Sequence, residues 1–481
     1  MKLHQLLDGI SYSTPLNDIE ITIPTSDSRQ IEPGCLYICI KGLKFDGHEH
    51  AGAALQEGAA AVVTEKDLGL PQQVIVENTR AAYGVICANY FGNPSRGMKL
   101  IGVTGTNGKT TITNVIKQVL EGCGKKVGLI GTIQNEIDDM TIPAKYTTPD
   151  PMQLQSMFLR MAQAGCEYVV METSSHALDQ HRLAGCHFVC GVFTNLTQDH
   201  LDYHITMENY YQAKKKLFDL CDFAVINMDD EYGRRLAAEV PCPVQTFSTG
   251  SDNADYTAKS IKITAAGSQF ALVGNHVITR VKFCMPGTFS VSNAMAAAVC
   301  CLGLGFTLEE VTAGLESCHG VSGRFEVLYH GDFTVIRDYA HSPDGLEKIL
   351  TAVKEFAPGR VVALFGCAGN RDRTKRPKMG EIASRLANFA ILTSDNPRDE
   401  DPQQIVNDAL PGLLQHDTPH EVIVDRYAAI EWALQHAQKD DMILLLGKGH
   451  EDYQVLRFGT IYFDEKVIVR KLLNLDQEEE K

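Results

Sequence analysis

One stretch constrains the fold more than any other: Val103-Thr104-Gly105-Thr106-Asn107-Gly108-Lys109-Thr110-Thr111. An apolar run, Leu100-Ile101-Gly102-Val103, leads into it, and Ile112, Val115, Ile116, Val119 and Leu120 follow at the spacing of one helix face. Strand, glycine-rich turn, Lys-Thr and helix make a phosphate cradle, because backbone N–H groups and the helix N-terminus converge on an anion. Lys109 adds a point charge for β- and γ-phosphates, and the Thr110 hydroxyl can ligate Mg²⁺. The usual string has a glycine five residues before Gly108, where this chain has Val103, so the pattern is a shorter Gly-Thr-Asn-Gly-Lys-Thr form. A tight turn opening an ordinary helix is the alternative, but Gly-x-x-Gly-Lys-Thr-Thr directly after a strand favours the cradle.

At 481 residues the chain has room for about three domains of ~150 residues. Hydrophobic residues at 44% and charged residues at 22% describe a globular protein, and no apolar run approaches the ~20 residues of a membrane span. A net charge of −16 argues against nucleic acid as a partner, while local basic clusters still allow small anionic ligands. No signal peptide is visible, and residues 1–8 read as a short amphipathic helix. The 14 cysteines are scattered. Cys186 and Cys190 flank His187 without a second pair to complete a zinc site, and others lie in apolar strings such as Val299-Cys300-Cys301-Leu302. Buried free thiols in a reducing cytoplasm fit this usage.

Residues 1–95 form a first α/β unit, with strand signals at 36–40, 61–64 and 74–76 and helix-like Ala/Gly stretches such as 51–60. Its most polar loop, Thr25-Ser26-Asp27-Ser28-Arg29, reads either as a Ser/Asp turn or as a loop for a nucleotide or sugar. Gly92-Asn93-Pro94-Ser95 reads as a linker. The second unit covers residues 96–323. Its strand Tyr168-Val169-Val170-Met171 ends at Glu172-Thr173-Ser174-Ser175-His176, and the run 190–196 ends before Asp199-His200-Leu201-Asp202-Tyr203-His204. Ligands gather at the carboxyl ends of strands in open α/β sheets, so both clusters should face the cradle. In Tyr211-Gln212-Ala213-Lys214-Lys215-Lys216, Lys215 and Lys216 read as a solvated basic helix face. Pro286-Gly287-Thr288 precedes a helix of small residues over 290–301, with Asn293 in its first turn.

The third unit, residues 324–481, repeats the strand-to-polar-loop pattern four times. The loops are Asp338-Tyr339-Ala340-His341-Ser342-Pro343-Asp344, Gly369-Asn370-Arg371-Asp372-Arg373, Asp395-Asn396-Pro397-Arg398 and Gly447-Lys448-Gly449-His450-Glu451. Strand–loop–helix alternation implies a mostly parallel sheet. The acidic tail over 477–481 reads as a frayed end. An acidic strand tip beside a phosphate cradle indicates ATP hydrolysis or phosphoryl transfer, and Arg371 and Arg398 on two loops suit carboxylate recognition. ATP next to a carboxylate site suggests activation of the carboxylate as an acyl phosphate, which an amine then displaces.

These residues carry a family resemblance. Gly105-Thr106-Asn107-Gly108-Lys109-Thr110-Thr111, Glu172-Thr173-Ser174-Ser175-His176, Asp199-His200-Leu201-Asp202-Tyr203-His204 and Asp338-Tyr339-Ala340-His341 together resemble the Mur ligase family, in order and over essentially the whole chain. The resemblance implies an α/β protein of three domains: a small uridine-nucleotide domain, a central P-loop ATPase domain with a parallel sheet and a C-terminal Rossmann-like amino-acid domain. It implies a cytoplasmic, monomeric ATP-dependent ligase of peptidoglycan synthesis. Thr25-Ser26-Asp27-Ser28-Arg29, Thr147-Thr148-Pro149 and Asp395-Asn396-Pro397-Arg398 point within the family to UDP-N-acetylmuramoyl-L-alanyl-D-glutamate and meso-diaminopimelate as the substrates joined.

By the same matching, Gly105, Thr106, Asn107, Gly108, Lys109, Thr110, Thr111, Asn293, Arg324 and Asp338 would bind ATP. Ser26, Ser28, Thr147, Thr148, Ser174, Gln180 and Arg182 would touch the UDP-muramoyl dipeptide, and Arg371, Asp395, Asn396, Arg398, Gly447 and Glu451 the diaminopimelate. Lys109, Glu172, His200 and Lys214 would be catalytic; Thr110, Glu172, His200 and Lys214 would hold Mg²⁺, with Lys214 carbamylated. An ammonium has no lone pair for a metal, whereas a carbamate is an acceptor like a carboxylate. Arg398 would pair with the second carboxylate of diaminopimelate, which lysine lacks. One departure stands out: the family's Phe-Asn-Val-x-Asn reads Phe289-Ser290-Val291-Ser292-Asn293 here.

Three alternatives remain at this level. They are a lysine-adding ligase of the same family, a folylpolyglutamate synthase, which would not need the first 95 residues, and a nucleotide switch that makes no bond.

Overall fold

The computed structural model describes residues 1–13, 18–42, 45–138, 140–264, 266–274 and 277–475. The acidic tail over 477–481 lies outside the described residues. Three sheets follow one another along the chain, and a two-stranded hairpin joins the third.

The first sheet has four parallel strands in chain order, Pro24–Thr25, Leu36–Ile38, Ala61–Thr64 and Gln73–Ile75. Leu36, Ile38, Val63 and Val74 pack with Ile86 and Cys87 of helix Thr79–Tyr90 on one face. The expected helix over 51–60 is shorter, Ala51–Gln56, because the chain turns at Gly58 (φ 112°) to enter the third strand.

The second sheet has eleven strands. Its centre is parallel, in the order Val244–Ser248, Cys221–Asn227, Phe188–Phe193, Lys99–Thr104, Tyr168–Glu172, Val127–Ile130. Helix Lys109–Gly122 buries Ile112, Val115, Ile116, Val119 and Leu120 against it. Each such side chain contributes about 1.5–3 kcal/mol, so the helix that follows the glycine-rich turn is firmly anchored. The expected parallel pairing holds for this centre and for the strand Tyr256–Thr264, which pairs parallel with Val244–Ser248; the pairs beyond are antiparallel. Antiparallel strands Gln134–Ile137 and Met140–Pro143 extend one edge, and the meander Tyr256–Thr264, Gly267–Gly274, Val277–Phe283 extends the other. The meander alternates buried and exposed residues, with Phe270, Leu272 and Val281 inward, in the same core as helix Thr288–Gly303.

The third sheet runs Glu326–His330, Thr334–Asp338, Met442–Leu446, Val361–Cys367, Phe389–Ser394, His420–Val422 and is antiparallel only at its first pair. The hairpin Tyr453–Leu456 and Gly459–Tyr462 lies against the loop after Phe389–Ser394. All 14 cysteines are free thiols, and among the described residues no helix is long and apolar enough to cross a membrane.

Candidate active site

The glycine-rich turn leaves the strand Lys99–Thr104 between its two neighbours, with Val103 level with Glu172 and Thr104 level with Phe193. Val103 is therefore a buried strand residue, and the turn begins only at Gly105. Gly105 (φ 150°) has no space for a side chain, since a Cβ would overlap Thr194 Oγ1. Gly108 (φ 88°) caps the helix Lys109–Gly122, and a Cβ there would come within 2.7 Å of Asn293 Oδ1. The two glycines let the loop pass close to Thr194 and Asn293, which lie on neighbouring elements.

Lys109 Nζ donates to the carbonyls of Gly105 and Thr106, both at 2.9 Å, and burial lowers its pKa. Thr110 Oγ1 donates to Glu172 Oε1 at 2.9 Å and accepts from Arg324 Nη2 at 3.1 Å, which ties the third unit to the cradle. Glu172 is fully buried and also accepts from Thr132 N at 2.8 Å and Thr132 Oγ1 at 3.0 Å. Lys214, 1% exposed, donates to Gly105 O at 2.7 Å, and its Nζ lies 4.5 Å from the centre of the Tyr210 ring. Burial first, then the charge of Lys109, pushes its pKa well down, so the amine is disposed to be neutral. Lys215 and Lys216 point away to ion pairs with Glu239 and Asp179.

The second strand exit brings three histidines together. His176 meets the rings of His200 and His204 at 4.9 and 5.4 Å, and His204 Nε2 lies 3.0 Å from Ser175 Oγ. Burial depresses His200 and His204 to about 4, so both are neutral at neutral pH. Burial works against the charge of Asp199, but His200, His341 and Lys375 outweigh it and keep its pKa low.

Of these groups Lys109, Thr110, Glu172, His176, His200, Lys214 and Arg324 line one cavity of about 1010 Å³, which shares lining residues such as Thr147 and His200 with a second of about 560 Å³. The first takes in the cradle from Thr106 to Thr111, Thr147, Thr148, Glu172, Ser174, Arg182, His200, Lys214, Asn293, Arg324 and Asp338. The second takes in Asp395, Asn396, Arg398, Gly447 and Glu451, and Arg371 borders both. The structure thus brings together nearly all the residues singled out from the sequence. Gly105 and Gln180 line neither cavity: Gly105 supplies its carbonyl to the two lysines, and Gln180 holds Arg182 through Oε1 at 2.8 Å. Ser26 and Ser28 stay in the first unit and line neither cavity; there Asp27 caps the turn Ser28–Gln30 and pairs with Arg29. Ser290, at the departing position of its motif, is buried and donates to Pro286 O at 2.7 Å, so it serves the helix start.

The smaller cavity holds two orphaned buried atoms of opposite character. Arg398 Nε and Asp395 Oδ1 have no hydrogen-bond partner. A guanidinium N–H without an acceptor and a carboxylate oxygen with no cation nearer than Lys448 Nζ at 3.8 Å, at one strand exit, suit a ligand carrying both a carboxylate and an ammonium.

The family comparisons agree with this arrangement. Residues 20–88 match the Mur ligase family catalytic domain, 103–301 the Mur ligase middle domain and 323–449 the Mur ligase glutamate ligase domain. UDP-N-acetylmuramoyl-L-alanyl-D-glutamate–2,6-diaminopimelate ligase 1 of Clostridium acetobutylicum is 44% identical over 98% of this chain and 99% of its own. The chain belongs to the Mur ligase family. A solved structure of a UDP-N-acetylmuramoyl-L-alanyl-D-glutamate–2,6-diaminopimelate ligase superposes with a TM-score of 0.70 at 34% identity, covering 95% of each chain. The MurF ligase of Thermotoga maritima in complex with ADP shares the fold, with a TM-score of 0.62 at 19% identity over 95% of this chain and 98% of its own.

The cavities of this Mur ligase are also lined by residues that no sequence motif marks, among them Thr132, Tyr146 and Tyr210. Asp344 accepts from Asn107 Nδ2 at 2.6 Å across the second and third units. Asp344 ends the polar loop read over 338–344, where Ser342 caps the helix Pro343–Lys354.

Proposed function

We propose that the chain joins meso-diaminopimelate to the D-glutamyl carboxylate of UDP-N-acetylmuramoyl-L-alanyl-D-glutamate at the expense of ATP, in peptidoglycan precursor synthesis. The observation that carries this reading is that Arg398 Nε and Asp395 Oδ1 each lack a hydrogen-bond partner, Asp395 Oδ1 having only the Lys448 ammonium at 3.8 Å, in residues of a cavity that shares part of its lining with the phosphate cradle's. Lysine ends in a bare ammonium and would leave Arg398 unpaired, at a cost that discriminates strongly in a buried site.

In this reading the cradle and Lys109 hold the ATP phosphates, with Asn293, Arg324 and Asp338 around the nucleotide. Thr148, Ser174 and Arg182 fix the dipeptide, Arg182 being pre-set by its bond to Thr148 O at 2.8 Å. The γ-phosphoryl group passes to the glutamyl carboxylate and ADP leaves. The diaminopimelate amine, presented by Arg371, Arg398 and the Asp395–Glu451 side, attacks the acyl carbon. Phosphate departs and the amine loses a proton. Positioning and fixed charge do most of this work.

The residues present fit Mg²⁺. Thr110 Oγ1 and Glu172 are hard oxygen donors already in contact. Thr110 and Glu172 would hold one ion, and His200 and a carbamate on Lys214 would help hold a second; the ions would supply charge neutralisation at the transferring phosphoryl group. The carbamate forms when the neutral Lys214 amine adds CO₂ and releases a proton. Its burial and its single carbonyl partner support that modification.

We take the domains as residues 1–95, 96–323 and 324–481, with Ser26 and Ser28 on the uridine-nucleotide side. The free thiols support a cytoplasmic enzyme, which we read as a monomer using neither nucleic acid nor membrane. Release of ADP and phosphate that requires the UDP-dipeptide and diaminopimelate together tests the reading. Phosphate release indifferent to both would instead describe a nucleotide switch.

A further inference from the structure

Behind the smaller cavity lies a cation that does not line it. The Lys448 side chain is 0% exposed. Its Nζ donates to Asn396 Oδ1 at 3.2 Å and Glu451 Oε2 at 3.3 Å, and lies 3.8 Å from Asp395 Oδ1. The rings of Tyr453 and Phe463 close its far side at 5.7 and 6.0 Å. Three groups that face the cavity therefore share one ammonium. Asn396 is held between its neighbours, giving Nδ2 to Glu451 Oε2 at 2.8 Å and receiving Val455 N at 2.9 Å.

A buried lysine is expensive unless it is paired, and an apolar residue of that length would fill the same space. What the apolar residue could not do is let two carboxylates sit charged at one strand-exit cluster. Like charges in a confined site drive one of them to take a proton. The other charged or titratable groups around Asp395 and Glu451 are Arg398 on the loop of Asp395, Tyr339 and Arg324 from the side of strand Thr334–Asp338, His450 beside Glu451, and Asp452 and Tyr453 at the hairpin. Burial already pushes the Glu451 carboxyl above its ordinary value, and Lys448 is the strongest influence pulling it back.

We propose that Lys448 is a positioning residue for amino-acid recognition: its side chain, bonded to Glu451 and Asn396 and close to Asp395, holds the two carboxylates in one cluster and fixes Asn396 between them, so the cavity presents them to the substrate's ammonium groups beside Arg398. The inference rests on the diaminopimelate reading above.

The test is steady-state kinetics of the full chain and of Lys448→Met and Lys448→Arg, with each of the three substrates varied from pH 6 to 9. In Lys448→Met the acidic limb of kcat/KM for diaminopimelate should move up by about 1–3 pH units. Its KM near neutral pH should rise about tenfold or more, the equivalent of at least one pK unit. KM for ATP and for the UDP-dipeptide should stay within about twofold. Lys448→Arg, which keeps the charge, should return the limb towards its original position. If Lys448→Met does not hold its fold at the assay temperature, Lys448→Gln, which keeps a donor for Asn396 Oδ1 without the charge, is read in its place. A folded neutral variant with an unmoved limb and unmoved KM overturns the inference, as does an equal rise in all three KM values. A wild-type chain that makes no product with diaminopimelate overturns the underlying reading, and this inference with it.

Discussion

Removing the Arg426 guanidinium should loosen the third sheet at the two strand ends that carry amino-acid residues. Arg426 and Glu465 are both 0% exposed and pair at 2.8 Å. The same guanidinium gives Nη1 to Ser394 O at 3.2 Å and Nη2 to Leu446 O at 2.9 Å, directly before Asp395 and Gly447. In Arg426→Met the Glu465 carboxylate, whose Oε2 already has no partner, is left buried without a counter-charge. Breaking such a pair from one side costs about 3–5 kcal/mol. At about 2–4 °C per kcal/mol for a unit of this size, melting should fall by about 6–20 °C. The chain has one tryptophan, Trp432, on the same helix, Arg426–Gln435, stacked against Phe389 at 5.3 Å and His436 at 4.1 Å. Its fluorescence therefore reports the melting of the third unit alone, which matters in a protein whose units need not unfold together. The loss should deepen as pH rises, because the stranded carboxyl must carry a proton to stay buried. Arg426→Met with Glu465→Met should recover most of the loss, since an apolar pair removes the uncompensated charge. A single variant melting within about 2 °C of wild type, or a double variant as unstable as the single, would refute this electrostatic account.

Other consequences are as direct. Lys109→Ala should lower kcat by about 10²–10³ with the KM of the UDP-dipeptide nearly unchanged, read by phosphate release; a comparable rise in that KM would contradict its assignment to the nucleotide. Lys214→Ala should abolish turnover and regain part of it with added short carboxylates, which replace the carbamate; no rescue at any concentration would count against the modification. His204, pushed to about 4 by burial, resists protonation in the folded chain, whereas an unfolded histidine titrates near ~6.5. Stability present above that value should thus drain away as pH falls from about 6.5 towards 4, and His204→Gln should lose less over that interval. Parallel melting curves for the two proteins across that range would show that His204 contributes nothing.

Much of the cavity lining was legible because polar clusters sit where apolar strands stop. Glu172, His200, Arg371 and Arg398 each follow a run of buried residues, and a parallel sheet sends such ends to one side. The glycines of the cradle were legible for a related reason, since close approach to Thr194 and Asn293 leaves no side-chain alternative. The antiparallel edges were harder to see. The meander Tyr256–Phe283 alternates like many surface strands, and what decides its place is the helix Thr288–Gly303, distant in its pairing although near in sequence. Arg376, Arg426 and Lys448 were invisible for another reason. A buried cation has the same local signature as a surface one, and only tertiary partners such as Glu400, Glu465 and Glu451 distinguish them. Ser26 and Ser28 show the opposite limit: their motif was readable, but nothing in sequence tells how far that loop lies from the cavity around the cradle.

We propose that the two adjoining cavities join an ATP-activated glutamyl carboxylate to an amino acid bearing a second zwitterionic end, with Arg398 reading the extra carboxylate. The most direct measurement is a competition: wild type and Arg398→Ala, each given ATP, the UDP-dipeptide and equal meso-diaminopimelate and lysine, with the tripeptide products separated by mass. Wild type should form the diaminopimelate product with one ADP and one phosphate per bond, and Arg398→Ala should lose most of that preference. Lysine product predominating in wild type, or a preference untouched by Arg398→Ala, would contradict the account.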